Sequence, residues 1–121
     1  AEFETPMSEQ NFLQFVKDKM QCGGIRHSAL LNKQIKRVAV LGGSGSFAIA
    51  AAINQNADAF LTADLKYHQF YEAENKLLLC DIGHFESERY TKNYIFDYIT
   101  KKLRNFAIIL SQENTNPVKY F

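Results

Sequence analysis

His84 and Glu88 stand four residues apart in the run Gly83-His84-Phe85-Glu86-Ser87-Glu88. If both are helical they share one face; if Ser87 is the N-cap, Glu88 still falls in the first turn, close to the preceding strand. A neutral imidazole beside a carboxylate suits a divalent ion of the zinc, iron or manganese type. Two donors do not complete such a site. A plainer reading stays open, in which Glu86 and Glu88 favour a helix N-terminus and His84 is a polar turn residue.

Two more stretches could do chemistry. Gly42-Gly43-Ser44-Gly45-Ser46 lets backbone approach a ligand closely, and a helix beginning at Ser46 would present free amides to an anion. No Gly-Lys-Ser/Thr follows, so this is not a Walker A loop, and Gly43 to Ala48 does not complete a dinucleotide fingerprint. A tight strand-to-helix turn accounts for it equally well. The run Thr62-Ala63-Asp64-Leu65-Lys66-Tyr67-His68 ends in a histidine that suits a general acid–base, a ligand, a partner of a ligand, or simply a surface position near a cap. His27 receives no role.

The elements that would position these loops are legible from periodicity. Ser8 caps an amphipathic helix to Met20, with Phe12, Phe15, Val16 and Met20 on its apolar face and Gly23-Gly24 as its left-handed stop. Ile25 to Leu31 is ambiguous, a short edge strand being one option. Arg37 to Leu41 reads as a strand, and Phe47 to Asn56 as a helix apolar nearly all round and so buried. Asp58 to Thr62 reads as a second strand, with Asp64 capping a helix from Leu65 to about Asn75. Leu77 to Ile82 is a third strand. A long helix follows Gly83, carrying Tyr90, Tyr94, Ile95, Tyr98, Ile99 and Leu103 as a core or interface stripe. Phe106 to Leu110 is expected to be a last strand, and Ser111 to Phe121 a polar tail. Strands alternating with helices imply an α/β fold with a mostly parallel sheet covered by helices. Ligands bind beyond the carboxyl ends of such strands, so the three loops should open on one edge.

The composition bounds the function. The 121 residues are 46% hydrophobic, enough for one domain's core. The 14 basic and 13 acidic residues leave a charge of +1, which offers no field to attract nucleic acid or a membrane. Two distant cysteines, Cys22 and Cys80, form no disulfide framework, so a reducing compartment is expected. With neither a membrane-length run nor a signal-peptide pattern, the expected location is cytoplasmic. The chain opens on Ala1-Glu2-Phe3-Glu4 without an initiator methionine, as a segment of a longer protein would.

The three loops in order, Val38 to Ser46, Asp58 to His68 and Asp81 to Arg89, resemble the C-terminal half of the Nif-three-like proteins. These are also called GTP cyclohydrolase I type 2 homologues or domain of unknown function 34. The resemblance spans roughly residues 7 to 121. It implies a two-repeat intertwined fold, of which residues 1–121 would be the C-terminal repeat: a helix and a strand, three βα units and a last strand. It further implies a dinuclear divalent-metal site between the repeats, to which His84 and Glu88 contribute. The other ligands would come from an N-terminal half that this sequence lacks, and the family assembles into toroidal hexamers. The implied chemistry is hydrolysis of a nucleotide-like or phosphorylated small molecule. In that setting His68 is a nearby acid–base or supporting group, and Gly43, Ser44, Gly45, Ser46 and Lys66 contact an anionic substrate. The implied alternative is a metal-binding assembly or regulatory protein without catalysis. A third expectation is that this segment alone is inert.

Overall fold

A computed structural model describes residues 1–120 of the chain. The elements run β1 (Glu2–Ser8), α1 (Glu9–Met20), β2 (Arg26–His27), β3 (Gln34–Ser44), α2 (Ile49–Asn54), β4 (Ala59–Ala63), β5 (Leu78–Asp81), α3 (His84–Glu88) and α4 (Thr91–Lys102). Two 3₁₀ segments, Ser46–Ala48 and Tyr67–Ala73, complete the crossovers. The five strands form one mixed sheet in the order β1-β3-β4-β5-β2. The β3–β4 and β4–β5 pairs are parallel, and the two edges are antiparallel.

Every residue of β4 and β5 is buried, as continuous apolar runs demand of strands covered on both faces. The two-residue side-chain period divides them between two cores. Ala59, Leu61, Leu78 and Cys80 pack with Phe12 and Val16 under α1. Phe60, Leu77 and Leu79 pack with Ile49, Ala52 and Leu65 on the other face. Cys22 and Cys80 are both buried free thiols, and burial pushes the Cys80 thiol up to about 12.

Ser8 caps α1 by accepting from the Asn11 N–H at 3.3 Å, as expected. The helix ends at Met20 as expected, but its left-handed stop is not Gly23-Gly24. Gln21 takes the left-handed position, with φ 52°, and satisfies the Lys17 carbonyl. Gly23 serves a different end: the Tyr120 ring packs against it, where any Cβ would collide. The ambiguous segment after it does include a short edge strand, β2.

Glu2–Ser8 adds an edge strand ahead of α1, tolerating Pro6 where the β1–β3 register slips. Three expectations are corrected. The helix after the glycine loop is short and half-exposed; Phe47 is 79% exposed and only Ile49 and Ala52 of α2 are buried. The long last helix is broken into α3 and α4, because α3 is anchored through the buried Glu86 whereas α4 buries no residue. Phe106 to Leu110 is not a strand, since among the described residues no strand lies beside it to complete a ladder. No helix is long and apolar enough to cross a membrane.

One carboxylate organises the edge where the loops emerge. Asp81, at the end of β5 and 6% exposed, accepts from the Leu65 N–H at 3.0 Å and from the Gly83 N–H at 3.1 Å. Arg26 donates to it from β2 at 3.0 Å and also reaches the Leu65 carbonyl. Removing that acceptor strands two backbone donors. Asp81→Ala should therefore lower stability by about 3 kcal/mol, read as a lower urea midpoint at unchanged slope.

Candidate metal centre

His84 and Glu88 open and close the single turn and a half of α3, so the spacing of four places both on one face. The His84 Nε2 lies 3.3 Å from Glu88 Oε2. Both side chains are about half-exposed, at 52% and 50%. They line an open cleft of about 1370 Å³, walled on the far side by the C-terminal tail, including Asn116, Pro117 and Tyr120.

The other loops meet them there. Asp64 follows the buried Ala63, and a left-handed φ of 58° turns the chain at this point. Its Oδ2 lies 2.6 Å from His84 Nδ1 and accepts the Ser44 hydroxyl at 2.5 Å. The Ser44 bond, then the His84 bond, hold the Asp64 carboxyl below its ordinary value. The Asp64 bond chiefly raises the His84 pKa, opposed by partial burial and assisted by Glu88, so the ring takes a proton more readily than free imidazole. Ser87 ties the glycine loop to α3, its Oγ accepting from the Gly43 N–H at 2.8 Å while donating to the His84 carbonyl at 2.8 Å. Thr62, fully buried, donates to the Gly43 carbonyl at 3.0 Å.

The glycine loop is thus engaged by protein. Gly42, Gly43 and Ser44 belong to β3, whose pairing is irregular between Val40 and Ser44. At Gly43, φ is +69°, and a Cβ would stand 2.6 Å from Glu88 Oε1 and 3.4 Å from His84 Cε1. The close approach that glycine permits is used to seat α3. Gly45 packs against Thr62, and Ser46 starts the first 3₁₀ turn.

Of the residues singled out in the sequence, the structure brings together His84, Glu88, Gly43 and Ser44. His68 and Lys66 are exposed, and neither lines this cleft; the Lys66 amide is occupied by Gln69 Oε1 at 2.7 Å. Asp64 is not a helix cap, since Lys66 holds that position for the second 3₁₀ segment. Asp64, Ser87, Thr62 and Asp81 are the participants that sequence reading does not assign to the site. The available signal for Asp64 and Asp81 is a lone carboxylate at the end of an apolar strand.

The donor set fits a divalent ion in kind, imidazole nitrogen with carboxylate oxygen, and falls short in number. Among the described residues no group of three or more His, Cys, Asp or Glu side chains is disposed to hold a metal. The third carboxylate, Asp64, lies on the opposite ring nitrogen from Glu88.

A family model described as Duf34/NIF3 (NGG1p interacting factor 3) matches residues 1–117. A GTP cyclohydrolase 1 type 2 homolog of Campylobacter jejuni is 38% identical over 98% of this chain and 47% of its own length. The homolog from Staphylococcus aureus strain MRSA252 is 30% identical over 99% of this chain and 34% of its own. The chain therefore spans half or less of the length of these relatives. Among solved structures, a Bacillus cereus protein related to NIF3 superposes with TM-score 0.92 at 28% identity, covering all of this chain and 35% of that one.

The packing at Gly43 yields a direct test. Gly43→Ala should cost about 1–2 kcal/mol for the left-handed backbone and displace the Glu88 carboxylate, seen in the unfolding midpoint and in the Glu88 position of a crystal structure.

Proposed function

The chain belongs to the Duf34/NIF3 family, and on that premise we propose that His84 and Glu88 are its contribution to a dinuclear divalent-metal site of a hydrolase. The proposed substrate is a nucleotide-like or phosphorylated small molecule. The carrying observation is the convergence of His84 Nε2 and Glu88 Oε2 to 3.3 Å at the mouth of the cleft. The shortfall in donors fits a site completed by ligands outside these residues, from an N-terminal half of the same protein.

A divalent ion held by His84 and Glu88 would supply Lewis acidity for hydrolysis near neutral pH. The chain's own residues supply the rest. His84 presents a ring nitrogen, Glu88 a carboxylate, and the Gly43–Ser87 hydrogen bond holds the helix carrying both. Lys66 and His68 are exposed after β4 and outside the cleft lining, so their proposed roles, an anion contact and proton transfer, require a substrate that extends beyond the cleft. Ser44 and the Gly45-Ser46 turn border the same edge, while the Gly43 amide is already taken by Ser87.

A second reading, a metal-binding assembly or regulatory protein without catalysis, draws on α4. Tyr94, Ile95 and Tyr98 are 73%, 49% and 56% exposed on that helix, an apolar face that suits another protein surface. The homo-oligomer expected of the family would use such a surface.

Elemental analysis of the protein at its natural full length separates these ideas. The unsubstituted protein should carry divalent metal, and His84→Ala and Glu88→Ala should each lose most of it. Unchanged metal in either variant removes the ligand assignment. If metal is lost while hydrolysis of nucleotide and phosphoester panels is absent throughout, and assembly persists, the second reading stands.

A further inference from the structure

We infer that Asp64 is a positioning residue of this centre: its carboxylate fixes the His84 ring with the proton on Nδ1, leaving the bare Nε2 to face Glu88 and the cleft. The inference rests on the proposed ligand roles of His84 and Glu88.

Three observations carry it. First, the two carboxylates address opposite nitrogens of one ring, Asp64 Oδ2 at 2.6 Å from Nδ1 and Glu88 Oε2 at 3.3 Å from Nε2. A neutral imidazole has one N–H, and an ionised carboxylate can only accept, so the shorter contact requires the hydrogen on Nδ1. Nε2 is then the nitrogen with a lone pair to give. Second, Asp64 is itself held. The same Oδ2 accepts the Ser44 hydroxyl at 2.5 Å, and the residue is pinned between a fully buried strand and the Leu65 amide that Asp81 clamps. With two donors on that oxygen, its lone pairs are committed to protein. Glu88 differs: among the described residues its carboxylate accepts nothing beyond the long contact to His84. The free carboxylate and the bare nitrogen are on the same side. Third, the backbone beneath the ring is fixed independently, because the His84 carbonyl accepts from Ser87 Oγ, which in turn accepts from Gly43. Ring tautomer and ring placement are therefore set by different elements, β3 and β4 for one and α3 for the other.

A carboxylate on the far nitrogen makes an imidazole a more basic donor and holds it in the plane its ligand role needs. Asp64 thus acts through His84. It does not compete with Glu88 for the ion.

The test uses the full-length protein in two states. In the metal-free state, ¹⁵N NMR of the ring at a pH where it is neutral should show His84 as the Nδ1–H form, assigned by its loss in His84→Gln. Asp64→Ala should return the ring to the Nε2–H form that dominates in solution, and Ser44→Ala should shift it partway. In the zinc-loaded state, chelator competition should show Asp64→Ala weakening zinc by roughly 10- to 100-fold at unchanged stoichiometry. If Asp64→Ala unfolds, Asp64→Asn carries the same two readouts, with a smaller loss of affinity because an acceptor oxygen remains. An unchanged tautomer in Asp64→Ala overturns the inference. So does a drop in zinc stoichiometry, which would make Asp64 a direct ligand. The tautomer readout needs no metal, so a failure of His84→Ala to lower zinc binding would reject the ligand reading separately.

Discussion

A carboxylate buried at the end of a strand is costly unless every lone pair finds a donor, and Asp81 meets that demand in a way that shapes the whole edge. Its donors are the backbone of the loop after β4, the backbone of the loop after β5, and a guanidinium from β2. Three segments distant in sequence are thus bound to one point. Arg26 is 60% exposed and also lies over the Phe70 ring, so the polar clamp continues into the apolar layer. Asp64 and His84 are each within three residues of this point along the chain. Their 2.6 Å contact follows from where Asp81 places the two loops.

The core strands and the convergence of three loops are legible in the sequence, because continuous apolar runs and alternating elements leave few topologies open. The i,i+4 relation of His84 and Glu88 is equally legible, since one turn of helix suffices to realise it. What escapes is whatever depends on a partner element. β1 hides because Glu2, Glu4 and Pro6 break the look of a strand, though Phe3 and Met7 keep its alternate spacing and pack on the core. The Phe106 to Leu110 run looks like a strand by composition but has none to pair with here. Asp64 is misread as a cap because its local sequence fits one; its actual partners, Ser44 and His84, are twenty residues away in either direction. Family resemblance supplies the rest, since no pattern of spacing within these residues by itself points to the proposed dinuclear site.

The distribution of apolar surface agrees with a chain that covers half or less of its relatives' length. Tyr67 and Tyr71 stand 76% and 69% exposed on the loop after β4, their hydroxyls 2.9 Å apart. Phe47, Tyr94 and Ile109 are open as well. Phe12 and Val16 under α1 are sealed, whereas Phe15 on the same helix and Val40 on β3 stay open at 39% and 63%. The most exposed of these side chains cluster on the loop after β4, around α2, on α4 and on the C-terminal tail.

The Tyr120 ring resting on Gly23 gives the cleft its far wall. The tail has no regular structure over residues 106–120, and its anchors are few: this ring, the Asn116 amide on the buried Glu86, and the Lys92 ammonium on the Ser111 carbonyl. Glu86 lies between His84 and Glu88 in sequence but is buried, with its side chain turned to the tail. The same short helix therefore presents the His84–Glu88 pair on one side and tethers its own enclosure on the other. The cleft wall and the pair it encloses are mechanically one part, and the seat of that wall is a position where the chain carries no side chain at all.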